Sequence, residues 1–412
     1  MNVLSLFDGM SCGQQALEMA NIKVDQYFAS EIDKYAIVVT MANYPNTIQL
    51  GSIIDLDGTK LPKIDLLIGG SPCQSFSFAG RRNGMTTKSE VEILSLEHYL
   101  ELKAEGYEFE GQSYLFWEYI RILNEVKPTY FLLENVVMEE RWQRVISKAI
   151  GVNPIEINSN LLSAQNRIRL YWTNIGMKPM GLFGDLESII EQPKDKKIYL
   201  KDILQDNPDA KFYLNKVNIE MLKRHDKLKN LENIKSATLV ASYHKMGRDQ
   251  QYVCEPVDER YYLTEKQIDV IRKCNEKGNQ PKVVSTNNNH PSSISTEQHD
   301  SILGADFRYD KGIKIRKGGK FPTLTTDAEQ QYIIPKDSFF YNEAESNMNE
   351  ITEMGIYKNS RIRKLTPVEC ERLQTVKDNY TNKGISDTQR YRMIGNGWTV
   401  AVIAHIFSYL NQ

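Results

Sequence analysis

Residues 64–78 read Ile-Asp-Leu-Leu-Ile-Gly-Gly-Ser-Pro-Cys-Gln-Ser-Phe-Ser-Phe. The mostly apolar stretch 64–68 is typical of a buried strand, and the glycines and Pro72 behind it indicate that a loop begins there. Cys73 is therefore expected just beyond the carboxyl end of a strand, a good position for a thiolate nucleophile. A lone cysteine is more often a buried structural thiol, but Pro72 before it and the polar Gln74 and Ser75 after it favour the reactive interpretation.

A second apolar run, residues 130–133, leads directly into Glu134-Asn135-Val136. A glutamate behind such a run is partly removed from water, which suits a group that donates a proton; a strand-end carboxylate in an ion pair is the alternative. A nucleophile and an acid at the ends of neighbouring strands can act on one small planar substrate. Cys73 and Glu134 together point to covalent catalysis on a pyrimidine ring.

The first third of the chain alternates strand and helix patterns. This alternation predicts an α/β protein with a doubly wound, Rossmann-like parallel sheet covered by helices on both faces. Such sheets bind ligands outside the carboxyl ends of their strands, which is where the motifs lie. The predicted strands are residues 3–7, 27–29, 64–68, 130–133 and 169–173, and the predicted helices are residues 14–20, 34–43, 116–125 and 141–150.

Length and composition set the outer limits. The chain has 412 residues, enough for two domains, and a net charge of −2, which neither favours nor excludes nucleic acid. Its five cysteines are scattered without a Cys-x-x-Cys pair, so we expect no structural metal or disulfide framework and a reduced, cytoplasmic setting. No apolar run approaches the roughly 18 residues of a membrane span, and residues 1–7 lack the basic start of a signal peptide.

Residues 177–360 differ in character from the rest. They are rich in Asn, Lys, Asp and Gln, with shorter apolar runs and one helix pattern at 264–273. Periodic apolar residues return from Leu365, and the last predicted helix, 400–410, would pack back on the first domain. We therefore expect a catalytic domain of residues 1–176 and 361–412, and a second, smaller, mostly β or irregular domain of residues 177–360.

That second segment contains a basic stretch, residues 311–320, with five cations and no acid. A solvated hairpin is the alternative for an isolated charge run. Beside the other motifs we prefer contact with nucleic-acid phosphates. The candidates are Lys314, Arg316, Lys317 and Lys320.

The first strand leads into Phe7-Asp8-Gly9-Met10-Ser11-Cys12-Gly13, which opens a helix. Glycines permit a tight turn, the helix N-terminus offers N–H groups to an anion, and Glu31 at the end of the next strand can accept from ribose hydroxyls. The glycine spacing is not the dinucleotide fingerprint, so a nucleoside without phosphates, S-adenosylmethionine, fits better. An ordinary strand-to-helix turn is the alternative.

Gln165-Asn166-Arg167-Ile168-Arg169 supplies two arginines that would face the same side of a strand. Two guanidinium groups can hold a phosphate or a base carbonyl, although a surface arginine pair is the alternative.

On these residues the chain resembles the DNA cytosine-5 methyltransferase family, whose motifs occur here in the family's order. Two further stretches match the motifs after the family's variable region, Arg363–Gln374 and Gly395–Val400. Residues 5–9 and 134–137 are most similar to the eukaryotic de novo branch, whereas the large 177–360 segment resembles the target recognition domain of bacterial and phage enzymes. A cytoplasmic, prokaryotic or phage-encoded monomer acting on duplex DNA is implied.

The resemblance implies a mechanism and a set of site residues. Cys73 would add to C6 of a flipped cytosine while Glu134 hydrogen-bonds N3 and the amine, with Arg167 at O2 and Arg169 supporting. The implied catalytic residues are Cys73, Gln74, Glu134, Asn135, Arg167 and Arg169. The implied cofactor residues are Phe7, Asp8, Gly9, Met10, Ser11, Cys12, Gly13, Glu31, Ile32, Ser52, Ile53, Pro72, Leu115, Asn396, Gly397 and Trp398. The implied DNA contacts are Ser75, Arg81, Arg82 and the basic stretch.

Some points depart from the family or stay open. Ser52 stands where the family usually has an aspartate for the adenine amine, with Asp55 as a candidate substitute. One branch of the family acts on tRNA, and non-enzymatic DNA-binding homologues form a second alternative. The recognised DNA sequence stays open, as does a separately acting cognate restriction endonuclease. No Asp/Asn-Pro-Pro-Tyr/Phe tetrapeptide of the amino-methyltransferases occurs.

Overall fold

The structure is a computed structural model that describes residues 1–72, 85–180, 185–206, 208–212, 214, 234–245, 250–256, 305–308, 312–315 and 360–410. The chain divides into two compact units. The first consists of Met1–Leu204, Asn233–Gln250 and Pro367–Gln412, and the second of Gln205–Glu232 and Gln251–Thr366. The predicted target recognition domain of residues 177–360 is a functional assignment and stays a prediction.

The first unit is built on a seven-stranded sheet with the order β3-β2-β1-β4-β5-β7-β6. Strands β3, β2, β1, β4 and β5 are parallel to one another. The chain runs from β1 to β2 and β3 on one side, and then crosses from β3 to β4 on the other side of β1. The sheet is therefore doubly wound, which confirms the predicted α/β class. The strands are β1 (Asn2–Leu6), β2 (Gln26–Ser30), β3 (Ile48–Gln49), β4 (Leu66–Gly70), β5 (Tyr130–Val136), β6 (Ile155–Asn158) and β7 (Ile168–Thr173).

The sheet is mixed, which differs from the wholly parallel sheet that the alternation predicts. Strand β7 runs antiparallel to both β5 and β6, with Val136 opposite Arg169 and Glu134 opposite Tyr171. The apolar pattern of a strand reports its burial and not its direction, so the reversal was hidden in the sequence. Its effect is that the first residues of β7 lie beside the carboxyl end of β5.

Both faces of the sheet are buried, as the near-continuous apolar strands require. Alternate residues such as Leu4, Leu67 and Leu133 pack in one cluster with Trp117 and Trp142 from the helices of that face. On the opposite face Ile68 approaches Gly13 so closely that a Cβ there would lie 2.5 Å from its Cδ1. Glycine at that helical position therefore lets helix and sheet meet.

Eight α-helices lie among the described residues. Helix α2 begins where the Asp33 carboxylate accepts from the Tyr35 amide, and α5 ends at Gly151 with φ of 86°. The last helix, α8, packs against α1 as expected, and α3 lies between β4 and α4 in the chain. The helices are α1 (Cys12–Met19), α2 (Lys34–Asn43), α3 (Leu96–Ala104), α4 (Leu115–Val126), α5 (Glu140–Ile150), α6 (Pro367–Leu373), α7 (Asp387–Asn396) and α8 (Val400–Phe407).

Smaller strand pairs complete the described residues. In the first unit, β8 (Met177–Met180) pairs with β9 (Asp185–Ser188). In the second unit, β10 (Tyr252–Pro256) pairs with β13 (Ser360–Lys364), and β11 (Ala305–Arg308) pairs with β12 (Gly312–Ile315), all antiparallel. The helix predicted at residues 264–273 lies outside the described residues. Within the described ranges no helix is long and apolar enough to cross a membrane.

Candidate active site

Glu134 lies at the carboxyl ends of the parallel strands β4 and β5, where its backbone pairs with that of Gly70. We call this position, the ends of β4 and β5, the catalytic edge. The Glu134 side chain is buried and held at both oxygens. Arg169 Nε lies 3.0 Å from Oε1 in an ion pair, and Trp398 Nε1 donates to Oε2 at 3.2 Å. The carboxyl group is therefore fixed in one orientation by a charged and a neutral donor.

Asn135 connects β5 to the chain that leads toward position 73. Its amide Nδ2 donates to Ser71 Oγ at 3.0 Å and to the Ser71 carbonyl at 3.4 Å, and its Oδ1 accepts from the Val136 amide. The residue is fully buried, so water does not compete for these bonds. The last described residues before position 73 are thus anchored to the strand that carries Glu134.

The two predicted arginines take different positions. Arg169 is on β7 and contacts Glu134, because the reversed strand begins at the catalytic edge. Arg167 precedes β7 and is buried, with its guanidinium donating to the carbonyls of Leu239 at 2.9 Å and Gly397 at 3.1 Å. Arg167 therefore joins backbone segments, and Arg169 is the arginine that lies against the carboxyl group.

The turn of residues 7–13, which we call the first turn, has an unusual backbone. Phe7, Gly9 and Ser11 have φ of 57°, 57° and 61°. Left-handed conformations are strained for Phe and Ser, which identifies this turn as a site that the surrounding fold holds in place. Helix α1 begins directly behind it with no side chain capping its N-terminus. Its first N–H groups thus remain available to an anion.

Glu31 closes the first turn from the next strand. Its Oε2 accepts from the Gly9 amide at 2.7 Å, and its Oε1 accepts from the amides of Ile32 and Asp33. A carboxylate has about four acceptor positions, so one is left for a ligand hydroxyl. Ile32 beside it is 73% exposed, an apolar surface next to the glutamate.

Two groups from the C-terminal part of the first unit support the same turn. Tyr380 Oη donates to the Met10 carbonyl at 2.8 Å. Gly397 lies so near that a Cβ on it would be 2.9 Å from Met10 Cε and 3.3 Å from Cys12 Sγ. The first and last predicted motifs are therefore in direct contact.

Two titratable groups in the first turn are strongly affected by burial. Removal from water raises the pKa of Asp8 to about 6, against hydrogen bonds that favour its charged form; one of these comes from Tyr27 Oη at 2.8 Å. Among the described residues, Asp8 Oδ2 has no hydrogen-bond partner. Burial also raises the pKa of the Cys12 thiol to about 12. Cys12 is consequently a poor nucleophile near neutral pH.

The remaining predicted cofactor residues fall around this turn or near it. Ile53 is buried and its carbonyl accepts from Arg121 of α4, whereas Ser52 is half-buried with its Oγ accepting from the Ile54 amide at 3.2 Å. Asp55 is exposed. Pro72 and Leu115 are half-buried, and Asn396 is exposed at the end of α7.

A pair of fully buried glutamines holds the backbone on both sides of Trp398. Gln374 Nε2 donates to the carbonyls of Ile394 and Gly397 at 2.9 and 3.1 Å, and its Oε1 accepts from Thr399 Oγ1 and from Gln165 Nε2. The motif that contains the two arginines is thereby bonded to the last motif. Buried amides are costly unless fully paired, so this network defines one arrangement.

Several predicted site residues lie outside the described residues. Lys314 belongs to strand β12, where its backbone pairs with Asp306, and its side chain is not described. The roles of these residues stay predictions. Those outside the described ranges are Cys73, Gln74, Ser75, Arg81, Arg82, Arg316, Lys317 and Lys320.

Sequence reasoning missed three relationships at the site. Trp398 was assigned to the cofactor and not to Glu134, Tyr380 was not singled out, and the Gln165–Gln374 pair was quoted only within motifs. Each joins residues more than 200 positions apart, and no spacing along a chain reports such a contact. The one available signal was a glutamine in each of two motifs, Gln165 and Gln374, because a buried amide needs a hydrogen-bond partner.

Comparisons with known proteins identify the family of the chain. The sequence profile of the family described as C-5 cytosine-specific DNA methylase matches residues 1–141 and 155–412. The chain is 26% identical to the orphan methyltransferase M.SPRI of Bacillus phage SPR, covering 100% of this chain and 97% of that protein. It is 25% identical to the orphan methyltransferase M.SPBetaI of Bacillus phage SPbeta, with the same coverage.

Solved structures show the same fold. The methyltransferase EhMeth of Entamoeba histolytica superposes with a TM-score of 0.57 at 14% identity, over 100% of this chain and 97% of that chain. A mutant of Spodoptera frugiperda DNMT2 superposes with a TM-score of 0.54 at 17% identity, over 100% and 99%. Likeness at these identities concerns the fold alone.

Proposed function

The chain belongs to the C-5 cytosine-specific DNA methylase family, DNA cytosine-5 methyltransferases of the kind that use S-adenosylmethionine, and we propose how its own residues perform that reaction. In this proposal the target is a cytosine in a specific sequence of duplex DNA, and the base is turned out of the helix. A covalent bond forms between Cys73 and C6 of the cytosine.

The observation that carries the proposal is the arrangement of the catalytic edge. Glu134 is held between Arg169 and Trp398, and the buried Asn135 amide ties Ser71 to the same strand. Position 73 follows Ser71 by two residues, within about 7 Å of extended chain. This reach supports the proposal that a nucleophile at position 73 and the oriented carboxyl group act on one base.

Each residue has a defined task in this reaction. The Cys73 thiolate adds to C6, and the electron pair of the C5–C6 double bond moves toward the ring carbonyl and N3. Glu134 donates a proton to N3, which neutralises the developing charge and leaves an electron-rich C5. After methyl transfer a base removes the C5 proton, N3 returns its proton to Glu134, the C5–C6 double bond re-forms and Cys73 departs as the thiolate.

We assign the base-facing role to Arg169 and a scaffold role to Arg167. Arg169 contacts the Glu134 carboxyl group at 3.0 Å, so its guanidinium lies where a base carbonyl would be placed beside that acid. Arg167 has its guanidinium bonded to the carbonyls of Leu239 and Gly397. This assignment exchanges the two tasks that the family resemblance implied.

The chemistry of the first turn fits S-adenosylmethionine, which carries an amino-acid end, a ribose and an adenine without phosphates. Asp8, with its buried Oδ2, suits the ammonium group, and the open N-terminus of α1 suits the carboxylate. Glu31 suits the ribose hydroxyls, and the exposed Ile32 provides an apolar surface for the adenine. When bound, the cofactor supplies an electrophilic methyl group on its sulfonium.

Substrate recognition requires a further part of the chain. C6 of a stacked cytosine is inaccessible to a thiol, so the base must leave the duplex at a cost of a few kcal/mol. We propose that residues 177–360 act as the target recognition domain, with phosphate contacts from Lys314, Arg316, Lys317 and Lys320 supplying part of that energy. Ser75, Arg81 and Arg82 are further proposed DNA contacts, with the two arginines near the backbone or minor groove.

One experiment tests the proposal directly. The purified full chain is incubated with radiolabelled S-adenosylmethionine and either unmethylated duplex DNA or tRNA, and the DNA is then sequenced after bisulfite treatment. We expect label in DNA, at cytosines within one sequence. Label in tRNA alone would identify the RNA-modifying alternative, and binding of DNA without transfer would identify a silent homologue.

The covalent step has its own control. Cys73→Ala should abolish transfer and keep DNA binding, whereas Cys370→Ala, which removes a buried thiol of α6, should keep transfer. With an oligonucleotide containing 5-fluorocytosine in place of the target, the wild-type chain should form a stable adduct at Cys73. Wild-type transfer by the Cys73→Ala variant would refute the covalent mechanism.

A further inference from the structure

The indole of Trp398 contacts a group that its assigned motif does not explain. Trp398 belongs to the motif expected to close the cofactor pocket, yet its Nε1 donates to Glu134 Oε2 at 3.2 Å. These residues are 264 positions apart and come from different elements. A side chain of the cofactor pocket is therefore hydrogen-bonded to the carboxyl group assigned to the base.

Gly70 makes room for this contact. A Cβ at position 70 would lie 2.8 Å from Trp398 Nε1 and 3.1 Å from Glu134 Oε2. The first distance is below any normal contact of a Cβ, so an alanine there would force the indole or the carboxyl group to move. The end of β4 is thus shaped around the pair.

The backbone next to Trp398 is held from both sides. The Gly397 carbonyl accepts from Arg167 Nη2 and from Gln374 Nε2, each at 3.1 Å, and Thr399 Oγ1 donates to Gln374 Oε1 at 2.9 Å. The backbone that carries the indole is therefore held in place next to Glu134. The Trp398 contact is a built arrangement and not a chance approach of a surface side chain.

We propose that Trp398 is a positioning residue for Glu134, in addition to its place in the cofactor pocket. Arg169 fixes Oε1 by charge and Trp398 fixes Oε2 as a neutral donor. A carboxyl group held at both oxygens presents its remaining lone pairs and its proton in one direction, which is what transfer to a ring nitrogen requires. Trp398 thereby links the geometry of the cofactor pocket to that of the acid.

The inference rests on the proposed function for its kinetic test. Trp398→Phe keeps a ring but removes the N–H donor. We expect the single-turnover methylation rate at saturating cofactor and DNA to fall by about tenfold, the equivalent of one lost hydrogen bond. The Kd of S-adenosylmethionine, measured by calorimetry, should change by less than about threefold, since the ring remains.

Two comparisons separate positioning from general damage. Trp172→Phe removes another buried indole, whose Nε1 donates to Ser147 Oγ at 2.9 Å and which packs in the same core cluster as Leu133, and it should lower the Tm without the rate effect. Gly70→Ala keeps both side chains but displaces one from the other, and it should reproduce the slow turnover. In a Glu134→Ala background, Trp398→Phe should slow the residual reaction no further. A full additional tenfold loss there would overturn the proposal, as would a wild-type rate in Trp398→Phe.

A measurement without catalysis distinguishes this inference from the proposed function. Thermal unfolding is measured for wild type, Trp398→Phe, Glu134→Ala and the double variant. The Tm shift of the double variant should differ from the sum of the two single shifts by about 2 °C or more. Strict additivity would refute the contact even in an active enzyme. If the Tm shifts of the variants are coupled but the wild-type chain transfers no methyl group, the contact stands and the proposed reaction is rejected.

Discussion

Asn135 Nδ2 and Ser71 Oγ are 3.0 Å apart in a fully buried contact between the ends of β5 and β4. Because Ser71 stands two residues before position 73, this bond fixes the direction in which the chain leaves the sheet. Asn135→Ala should reduce methyl transfer by about tenfold, the value of one buried hydrogen bond. The Kd of S-adenosylmethionine should stay close to the wild-type value.

The same test has an internal check. Ser71→Ala removes the Oγ acceptor and leaves the carbonyl acceptor, so it should be less harmful than Asn135→Ala. Rates for Asn135→Ala equal to wild type would show that the segment before position 73 is held by other contacts.

Tyr380 supports the first turn through a single hydroxyl group. Its Oη donates to the Met10 carbonyl at 2.8 Å in a buried environment. Tyr380→Phe should weaken S-adenosylmethionine binding by about fivefold, because the lost hydrogen bond contributes about 1 kcal/mol to holding the turn in its binding geometry. Calorimetric titration measures this. Tyr107→Phe, at a 43% exposed position, is the matched control and should bind as wild type does; equal affinities of all three proteins would remove Tyr380 from this role.

Arg390 and Glu371 form a buried ion pair that holds the loop before α7. Arg390 Nη2 lies 3.3 Å from Glu371 Oε1, and Glu371 also accepts from the amides of Asn379 and Thr381. Arg390→Met would leave a buried carboxylate without its counter-charge, so the free energy of unfolding should fall by about 3–5 kcal/mol.

Urea unfolding gives the comparison for that pair. Arg144 pairs with Glu140 one turn away on α5, but their side chains are 73% and 75% exposed. Arg144→Met should therefore change the stability by less than about 0.5 kcal/mol. Similar losses in the two variants would mean that burial of the Arg390 pair has no energetic consequence.

Asp8 should give the protein a pH-dependent stability. Its pKa is raised to about 6 from the ordinary 3.8, so the folded state binds this proton more readily than the unfolded chain. The stabilising contribution is complete below pH 3.8 and is lost as the pH rises through 6. As the pH rises from 3.8 through 6, the stability of Asp8→Asn should increase relative to that of wild type, by at most about 1.4 kcal/mol per pH unit.

Unfolding at a series of pH values from about 2 to 8 tests the sign, because it covers the pH range of both carboxyl groups. Asp25, whose pKa is lowered by its hydrogen bond to the N-terminal ammonium, provides the opposite case. Its contribution is present above the ordinary pKa and lost in acid, so Asp25→Asn should lose stability relative to wild type as the pH rises from acid. A flat difference between Asp8→Asn and wild type would contradict the raised pKa of Asp8.

Much of the sheet was predictable because its strands are buried on both faces. Apolar runs located β1, β2, β4, β5 and β7, and the turn chemistry behind them located the catalytic edge. Helix α2 was predicted with the bounds observed, Lys34–Asn43. These features depend on residues close together in the chain, where pattern and propensity act directly.

What escaped prediction depends on long-range contacts. Strand β3 has two residues and β6 has four, too short to show a period. The direction of β7 follows from its partners, and that direction decides that Arg169 and not Arg167 reaches Glu134. The indole of Trp398 illustrates the same limit, because its neighbours come from strands at the other end of the sequence.

The position of Trp398 also has a consequence for the fluorescence of the protein. The other three tryptophans, Trp117, Trp142 and Trp172, are buried in the core, whereas Trp398 is half-exposed beside a carboxyl group. A small quencher such as acrylamide should therefore reach its fluorescence first. The emission of this one ring would then report, without any label, when a nucleoside or a base enters the pocket it borders.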